Sequence, residues 1–118
     1  MTYFFTDQEK LQYQNNGYVL RESQFSSSEI DIFRKVFEST VLKALEISKA
    51  GKEYFLDKKR FVDIDYLTLQ YEPEPNDSFL RVIEPAHSLN SDLDNIIADR
   101  RLTDPIKSIL SIGEVSLW

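Results

Sequence analysis

The sequence predicts an α+β fold, and three observations carry that prediction. The same helix-opening signal, a capping box, is written twice, at Thr6-Asp7-Gln8-Glu9 and at Ser26-Ser27-Ser28-Glu29. The middle of the chain, from residue 53 to residue 83, is broken into short runs rich in β-branched and aromatic residues. Helical spacing then returns at Leu89, Leu93, Ile96 and Ile97. The 118 residues allow one domain, spanning 1–118, or the N-terminal part of a larger one.

In the first capping box the Thr6 hydroxyl accepts from the N3 amide while Glu9 reaches back to the Thr6 amide. The short helix that follows is expected to stop near Gly17, a residue suited to a left-handed C-cap. Tyr18-Val19-Leu20 reads as a brief strand. Ser26 opens the second helix. Its apolar positions Ile30, Phe33, Phe37, Val41, Ala44, Leu45 and Ser48 recur at steps of three and four, the stripe of an amphipathic helix ended by Gly51. That stripe is expected to pack on a sheet.

Strand-like runs follow at Glu53-Tyr54-Phe55-Leu56, Arg60-Phe61-Val62-Asp63-Ile64, Tyr66-Leu67-Thr68-Leu69-Gln70-Tyr71 and Phe79-Leu80-Arg81-Val82-Ile83. Glu72-Pro73-Glu74-Pro75-Asn76-Asp77 is a loop, on the strength of its prolines and its Asn-Asp pair. A last short helix is expected from Thr103-Asp104-Pro105, with proline tolerated in the first turn and an apolar face of Ile106, Ile109 and Leu110. Glu114-Val115-Ser116-Leu117-Trp118 resembles the opening of a buried strand, which leads us to expect the N-terminal part of a longer protein.

Composition narrows the chemistry. Apolar residues make up 42% and aromatic residues 13%, enough to fill a core. Twenty acidic side chains against 14 basic ones give a net charge of −6, which argues against a nucleic-acid partner. No apolar run approaches the 18 to 20 or so residues of a membrane span, and the start lacks the pattern of a signal peptide. A cytoplasmic protein with no membrane partner is the expectation. With no cysteine there is no disulfide, thiolate metal site or cysteine nucleophile, and the single histidine, His87, cannot complete a site needing two imidazoles.

The remaining candidates are individually weak. His87, near Glu84, reads as a loop or helix-start histidine more readily than as a general base or metal ligand. Asp63 and Asp65 share one face of a strand, but a hard cation needs six or more oxygens. Asp92, Asp94 and Asp99 suit helix starts. Lys58-Lys59-Arg60 reads as a turn between strands. Arg81 is different: it interrupts an apolar run, where it either clamps a carboxylate or phosphate bidentately or sits on an exposed sheet edge. No phosphate loop and no serine elbow is present.

In order along the chain, Phe5-Thr6-Asp7-Gln8-Glu9, Asn16-Gly17-Tyr18-Val19-Leu20 and Phe25-Ser26-Ser27-Ser28-Glu29-Ile30-Asp31 form one set. Leu102-Thr103-Asp104-Pro105, Ile109-Leu110, Gly113 and Val115-Ser116-Leu117-Trp118 form another. Together these resemble the N-terminal portion of phytanoyl-CoA dioxygenase-like proteins. The N-terminal set is similar to that family's short helix, turn, strand and long helix. The C-terminal set is similar to the helix and strand that precede its metal site.

The resemblance implies a non-haem Fe(II), 2-oxoglutarate-dependent dioxygenase with a double-stranded β-helix, jelly-roll core, acting on a small organic substrate. In that family a His-x-Asp pair and a distal histidine hold iron. This chain has no His-x-Asp pair, and His87 lies before the expected region, so no iron ligand and no catalytic residue is carried over. Arg81 is the one cofactor-binding candidate, near a basic family position that reaches 2-oxoglutarate. The partners implied are a small-molecule substrate and the remainder of the polypeptide. Hydroxylation and halogenation are both open. The alternative is a small, acidic, stand-alone α+β interaction module without catalysis.

Overall fold

The structure, a computed structural model, describes residues 1–116. It is α+β: four α-helices and a four-stranded antiparallel sheet among the described residues. Two compact units make it up. One comprises Met1–Ile30 with the segment from Asn95 onward, and the other is Asp31–Asp94.

The first helix, α1 (Asp7–Asn16), begins and ends as its sequence requires. Thr6 accepts from the Glu9 amide, Glu9 accepts from the Thr6 amide, and Gly17 closes the helix at φ 79°. Tyr18, Val19 and Leu20 form no strand, which corrects the sequence reading. Three residues of strand character have no partner there to complete a ladder.

The long helix α2 (Ser27–Ser48) starts at the second capping box. Glu29 accepts from the Ser26 amide at 2.8 Å, and Ser26 Oγ accepts from the Glu29 amide at 3.3 Å. Its buried residues are Thr40 and Ala44, whereas Phe37 and Val41 remain 50% and 37% exposed. The inward face is therefore rotated from the expected stripe, toward Val36, Thr40, Ala44 and Ile47. Thr40 tolerates burial because its hydroxyl donates to the Val36 carbonyl, one turn back, at 2.8 Å.

The sheet is a meander in the order β1-β2-β3-β4. Its strands are β1 (Lys52–Leu56), β2 (Lys59–Ile64), β3 (Leu67–Tyr71) and β4 (Leu80–Glu84). Alternation along β3 puts Leu67, Leu69 and Tyr71 on the inward face. These join Val62 and Ala44 in the core, with Leu45, Ile47, Ile64, Leu80, Ile83 and Leu89 packed around them. Asp57 and Lys58, both at positive φ, make the two-residue turn between β1 and β2. Of the expected Lys58-Lys59-Arg60 turn only Lys58 lies in it, because Lys59 and Arg60 pair with Leu56 and Phe55 as the start of β2. Gly51 lies against this core, where a Cβ would overlap Val62 Cγ1.

After β4 comes a 3-10 helix, Ala86–Leu89, then α3 (Ser91–Ile97) with Asp92 and Asp94 in its first turn. Buried Asn90 ties this stretch to α2, its amide donating to Ser39 Oγ at 3.0 Å and Thr40 Oγ1 at 3.2 Å.

The last helix, α4 (Arg100–Leu110), starts earlier than its Thr103-Asp104-Pro105 segment suggested. Asp99 is the N-cap, accepting from the Arg101 amide at 2.8 Å, and Pro105 lies inside the helix. Its expected apolar face is also corrected: Ile106 and Leu110 are exposed, and the buried residue is Asp104. Of the strand expected at the C-terminus, Glu114, Val115 and Ser116 are exposed and outside the sheet, while Leu117 and Trp118 lie outside the described residues.

Candidate functional site

Arg81 lies on β4, an edge strand, and is exposed. The ladder pairs Gln70 with Val82 and Tyr71 with Leu80, so Arg81 is the extra residue of a β-bulge. A bulge frees a side chain from strict alternation. It also lets a charged residue interrupt an apolar run without entering the core. Among the described residues Arg81 has no carboxylate partner, so its donors face water.

The acidic candidates do not converge. Asp63 accepts from Thr68 Oγ1 at 2.9 Å and from the Tyr54 hydroxyl at 3.3 Å, a cross-strand cluster on the outward face. Partial loss of solvent, and then the charge of Asp63, raise the Tyr54 hydroxyl above its ordinary value. Asp65 does not continue the strand face. It occupies the turn after β2, at φ 51°. His87 sits half-buried in the 3-10 helix.

Among the described residues no three His, Asp or Glu side chains come together as metal ligands. The donor set does not fit the facial triad of a non-haem iron centre.

The densest polar chemistry involves two arginines that the sequence alone did not single out. Arg21 donates through Nε and Nη2 to the two Glu9 oxygens at 2.7 and 2.8 Å, and through Nη1 to the Tyr3 carbonyl at 2.8 Å. This bidentate pair, assisted by the Thr6 amide, holds the Glu9 carboxyl down at about 2. Arg21 also covers the Phe5 ring, 4.7 Å from its centroid.

Arg101 repeats the arrangement. It donates to both oxygens of Asp99 at 2.9 and 2.6 Å, pairs with Glu29 at 2.7 Å and covers the Phe25 ring at 4.2 Å. Hydrogen bonds from Arg101 hold Asp99 below the usual carboxylate range. In Glu29 the Ser26 amide lowers the carboxyl first and Arg101 adds to it.

Both arginines border an open cleft of about 500 Å³ whose walls include Phe5, Val19, Ile30, Leu102 and Pro105. Their donors are engaged by protein carboxylates and carbonyls, so the cleft offers mainly apolar wall and guanidinium planes. Among the described residues that line it there is no paired nucleophile and base. Arg21 was legible only as a cation closing the run Tyr18-Val19-Leu20, and Arg101 only as part of Arg100-Arg101.

No membrane-length apolar helix occurs among the described residues. Compared with protein-family models, with curated proteins and with solved structures, the chain matches none.

Proposed function

We propose that the chain is the N-terminal portion of a cytoplasmic non-haem Fe(II)/2-oxoglutarate dioxygenase acting on a small organic substrate. In this reading it supplies supporting helices and the first strands of a jelly-roll core. The observation that carries the reading is the outward face of the sheet. There Tyr54 and Phe61 stack with ring centroids 5.3 Å apart, exposed Leu56 follows on β1, and exposed Val82 lies beyond Gln70 on β4. Sheet-on-sheet packing covers a face of that kind, and the two-layer core of the resembled family requires it.

The iron ligands belong to further polypeptide in this reading. Arg81, adjoining Val82 on the same strand, is the group assigned to a carboxylate of 2-oxoglutarate or substrate, through charge-assisted hydrogen bonds.

The test is succinate formation by the protein encoded by the reading frame continued past Trp118, with Fe(II), oxygen and 2-oxoglutarate. Iron-dependent succinate is expected. Arg81→Ala is expected to raise the Michaelis constant for 2-oxoglutarate or substrate more than it lowers stability. No succinate across a broad substrate panel sinks the oxygenase reading, whereas wild-type kinetics in the Arg81 variant remove only that assignment.

A second reading, an α+β interaction module without catalysis, is favoured by the exposed apolar residues of α2. A reading frame that ends at Trp118 and a stable, catalytically silent protein decide for it.

A further inference from the structure

We propose that Asn16-Gly17 is a self-modifying site, where Asn16 converts to isoaspartate whenever the C-cap of α1 opens, and that the conversion releases the contact between Arg21 and Glu9. The inference is independent of the oxygenase reading, because it uses none of the residues assigned to that chemistry.

The sequence holds a single Asn-Gly pair, and it sits at the exposed end of α1. Glycine has no side chain to shield its backbone nitrogen or to restrict the turn the reaction needs. That nitrogen loses its proton to water and attacks Asn16 Cγ. A C–N bond forms, the bond from Cγ to the side-chain nitrogen breaks, and that nitrogen takes up a proton and leaves as ammonia. Water then opens the five-membered succinimide. Opening at one carbonyl gives aspartate, and opening at the other routes the backbone through the side chain as isoaspartate. Water is the co-reactant, and nothing is oxidised.

The fold supplies the gate. The Gly17 N–H, which carries the attacking nitrogen, donates to the Tyr13 carbonyl at 2.7 Å with Gly17 at φ 79°. While that cap is closed, the nitrogen is turned along the helix and away from Asn16 Cγ. Little holds the cap closed. No residue of α1 is buried, and its apolar side chains Leu11 and Tyr13 are 56% and 39% exposed. A ten-residue helix of this kind is marginal on its own and opens at small cost. Asn90, followed by Ser91, is the opposite case. It is buried, its amide donates to Ser39 and Thr40, and its side-chain oxygen accepts from the Asp92 amide at 3.1 Å.

Isoaspartate lengthens the backbone by one carbon just before Gly17, so the N–H no longer meets the Tyr13 carbonyl. It also adds a carboxylate at a helix C-terminus that has no basic residue in its last turn. Arg21 lies four residues beyond Gly17 and grips Glu9, in the first turn of the same helix. Unwinding α1 from its end therefore pulls the two apart.

The experiment ages the full chain in neutral and mildly alkaline buffer and maps its peptides by mass spectrometry. Each event adds one mass unit, and isoaspartate is scored by resistance to a protease that cleaves before aspartate. Conversion is expected at Asn16, faster at the higher pH, with Asn90 intact and with no conversion in Asn16→Gln. Thr6→Ala removes the cap at the other end of α1 and is expected to speed conversion about fivefold, the equivalent of about 1 kcal/mol. If that variant does not fold, urea below the unfolding transition opens α1 in the wild type and is expected to speed conversion likewise. Aged protein isolated by ion exchange is expected to show faster amide exchange over residues 3–9 than fresh protein. Asn16→Asp, which adds the charge without rerouting the backbone, is expected to fall between them. Asn16 that stays intact in the folded chain, while a peptide of residues 12–21 converts, overturns the site. Equal rates with α1 capped and opened overturn the gate, and aged protein that exchanges as fresh protein does overturns the release.

Discussion

The backbone N–H of Tyr3 donates to the buried Asp104 carboxylate at 3.0 Å, across 101 residues of sequence. Two residues on, Phe5 donates its N–H to Ser108 Oγ at 3.0 Å, while Arg21 donates to the Tyr3 and Phe4 carbonyls. The N-terminal segment is thus fixed through side chains rather than by a strand ladder. The Tyr3 amide first, and then Arg100, hold the Asp104 carboxyl below its ordinary range.

Replacing Asp104 by Ala removes the acceptor of the Tyr3 amide and the partner of Arg100 together. A lower melting temperature is expected, with faster amide exchange concentrated in residues 3–5. Asp104→Asn keeps an acceptor oxygen, so it is expected to fall between wild type and Asp104→Ala. Exchange measured by mass spectrometry distinguishes local release of the segment from global unfolding.

The Glu9–Arg21 pair makes stability depend on pH in a stated direction. The Glu9 carboxyl is held at about 2 in the folded chain against 4.5 ordinarily. A depressed acid contributes stability above its unfolded value, and the contribution is lost as pH falls from about 4.5 toward 2. Both side chains keep about a fifth of their exposure, so solvent screening reduces the contribution to about 1–2 kcal/mol. Urea unfolding of wild type and Glu9→Gln is expected to differ by that amount at pH 6. The difference is expected to shrink steadily toward pH 2, and one independent of pH contradicts the assignment.

The β1–β2 turn has room for improvement. Asp57 and Lys58 occupy φ 48° and 62°, a region where side chains are strained and Asn-Gly is at ease. Asp57→Asn with Lys58→Gly is expected to raise stability by about 1 kcal/mol, read from the denaturant midpoint. An unchanged midpoint shows that the native turn carries no such strain.

Gly51 is required for space rather than for conformation. Gly51→Ala puts a methyl into Val62 Cγ1, a stiff β-branched side chain only 3% exposed, and within 3.0 Å of the Asp63 carbonyl. A loss of about 1–3 kcal/mol is expected. Pairing it with Val62→Ala tests the cause, because removing the obstructing methyl makes the double variant less destabilised than the two losses added together.

What the sequence disclosed divides according to how local the deciding interaction is. Both capping boxes and Gly17 were readable because their partners lie within a few residues. The four sheet strands were readable because their β-branched and aromatic runs are bounded by turns, whereas Tyr18-Val19-Leu20 carried the same composition without a partner. The start of α4 was hidden because Asp99 reads as a charge near a dipole as readily as it reads as the N-cap that receives the Arg101 amide. Asp104 resembles a surface residue because its burial depends on Tyr3, far away in sequence. Arg81 was readable as an odd cation in an apolar run, but the bulge that exposes it depends on the register of β3. Arg21 and Arg101 were illegible as site residues because their meaning lies in the carboxylates they hold.

The orientation of α2 was the hardest to read, and it leads to the sharpest stability contrast. Apolar side chains occupy more of its circumference than one sheet contact can cover, so spacing alone could not rank Phe37 against Val36 or Thr40. The structure ranks them: Phe37 is half exposed, while Leu69, at the centre of the core, is fully buried. Leu69→Ala therefore loses both the transfer energy of its side chain and the packing around the cavity it leaves, about 2–5 kcal/mol. Phe37→Ala leaves no enclosed cavity and is expected to cost less than about 1.5 kcal/mol. Both are measured by urea unfolding. If Phe37→Ala costs as much as Leu69→Ala under those conditions, the Phe37 ring is part of the core and the assigned helix face is wrong.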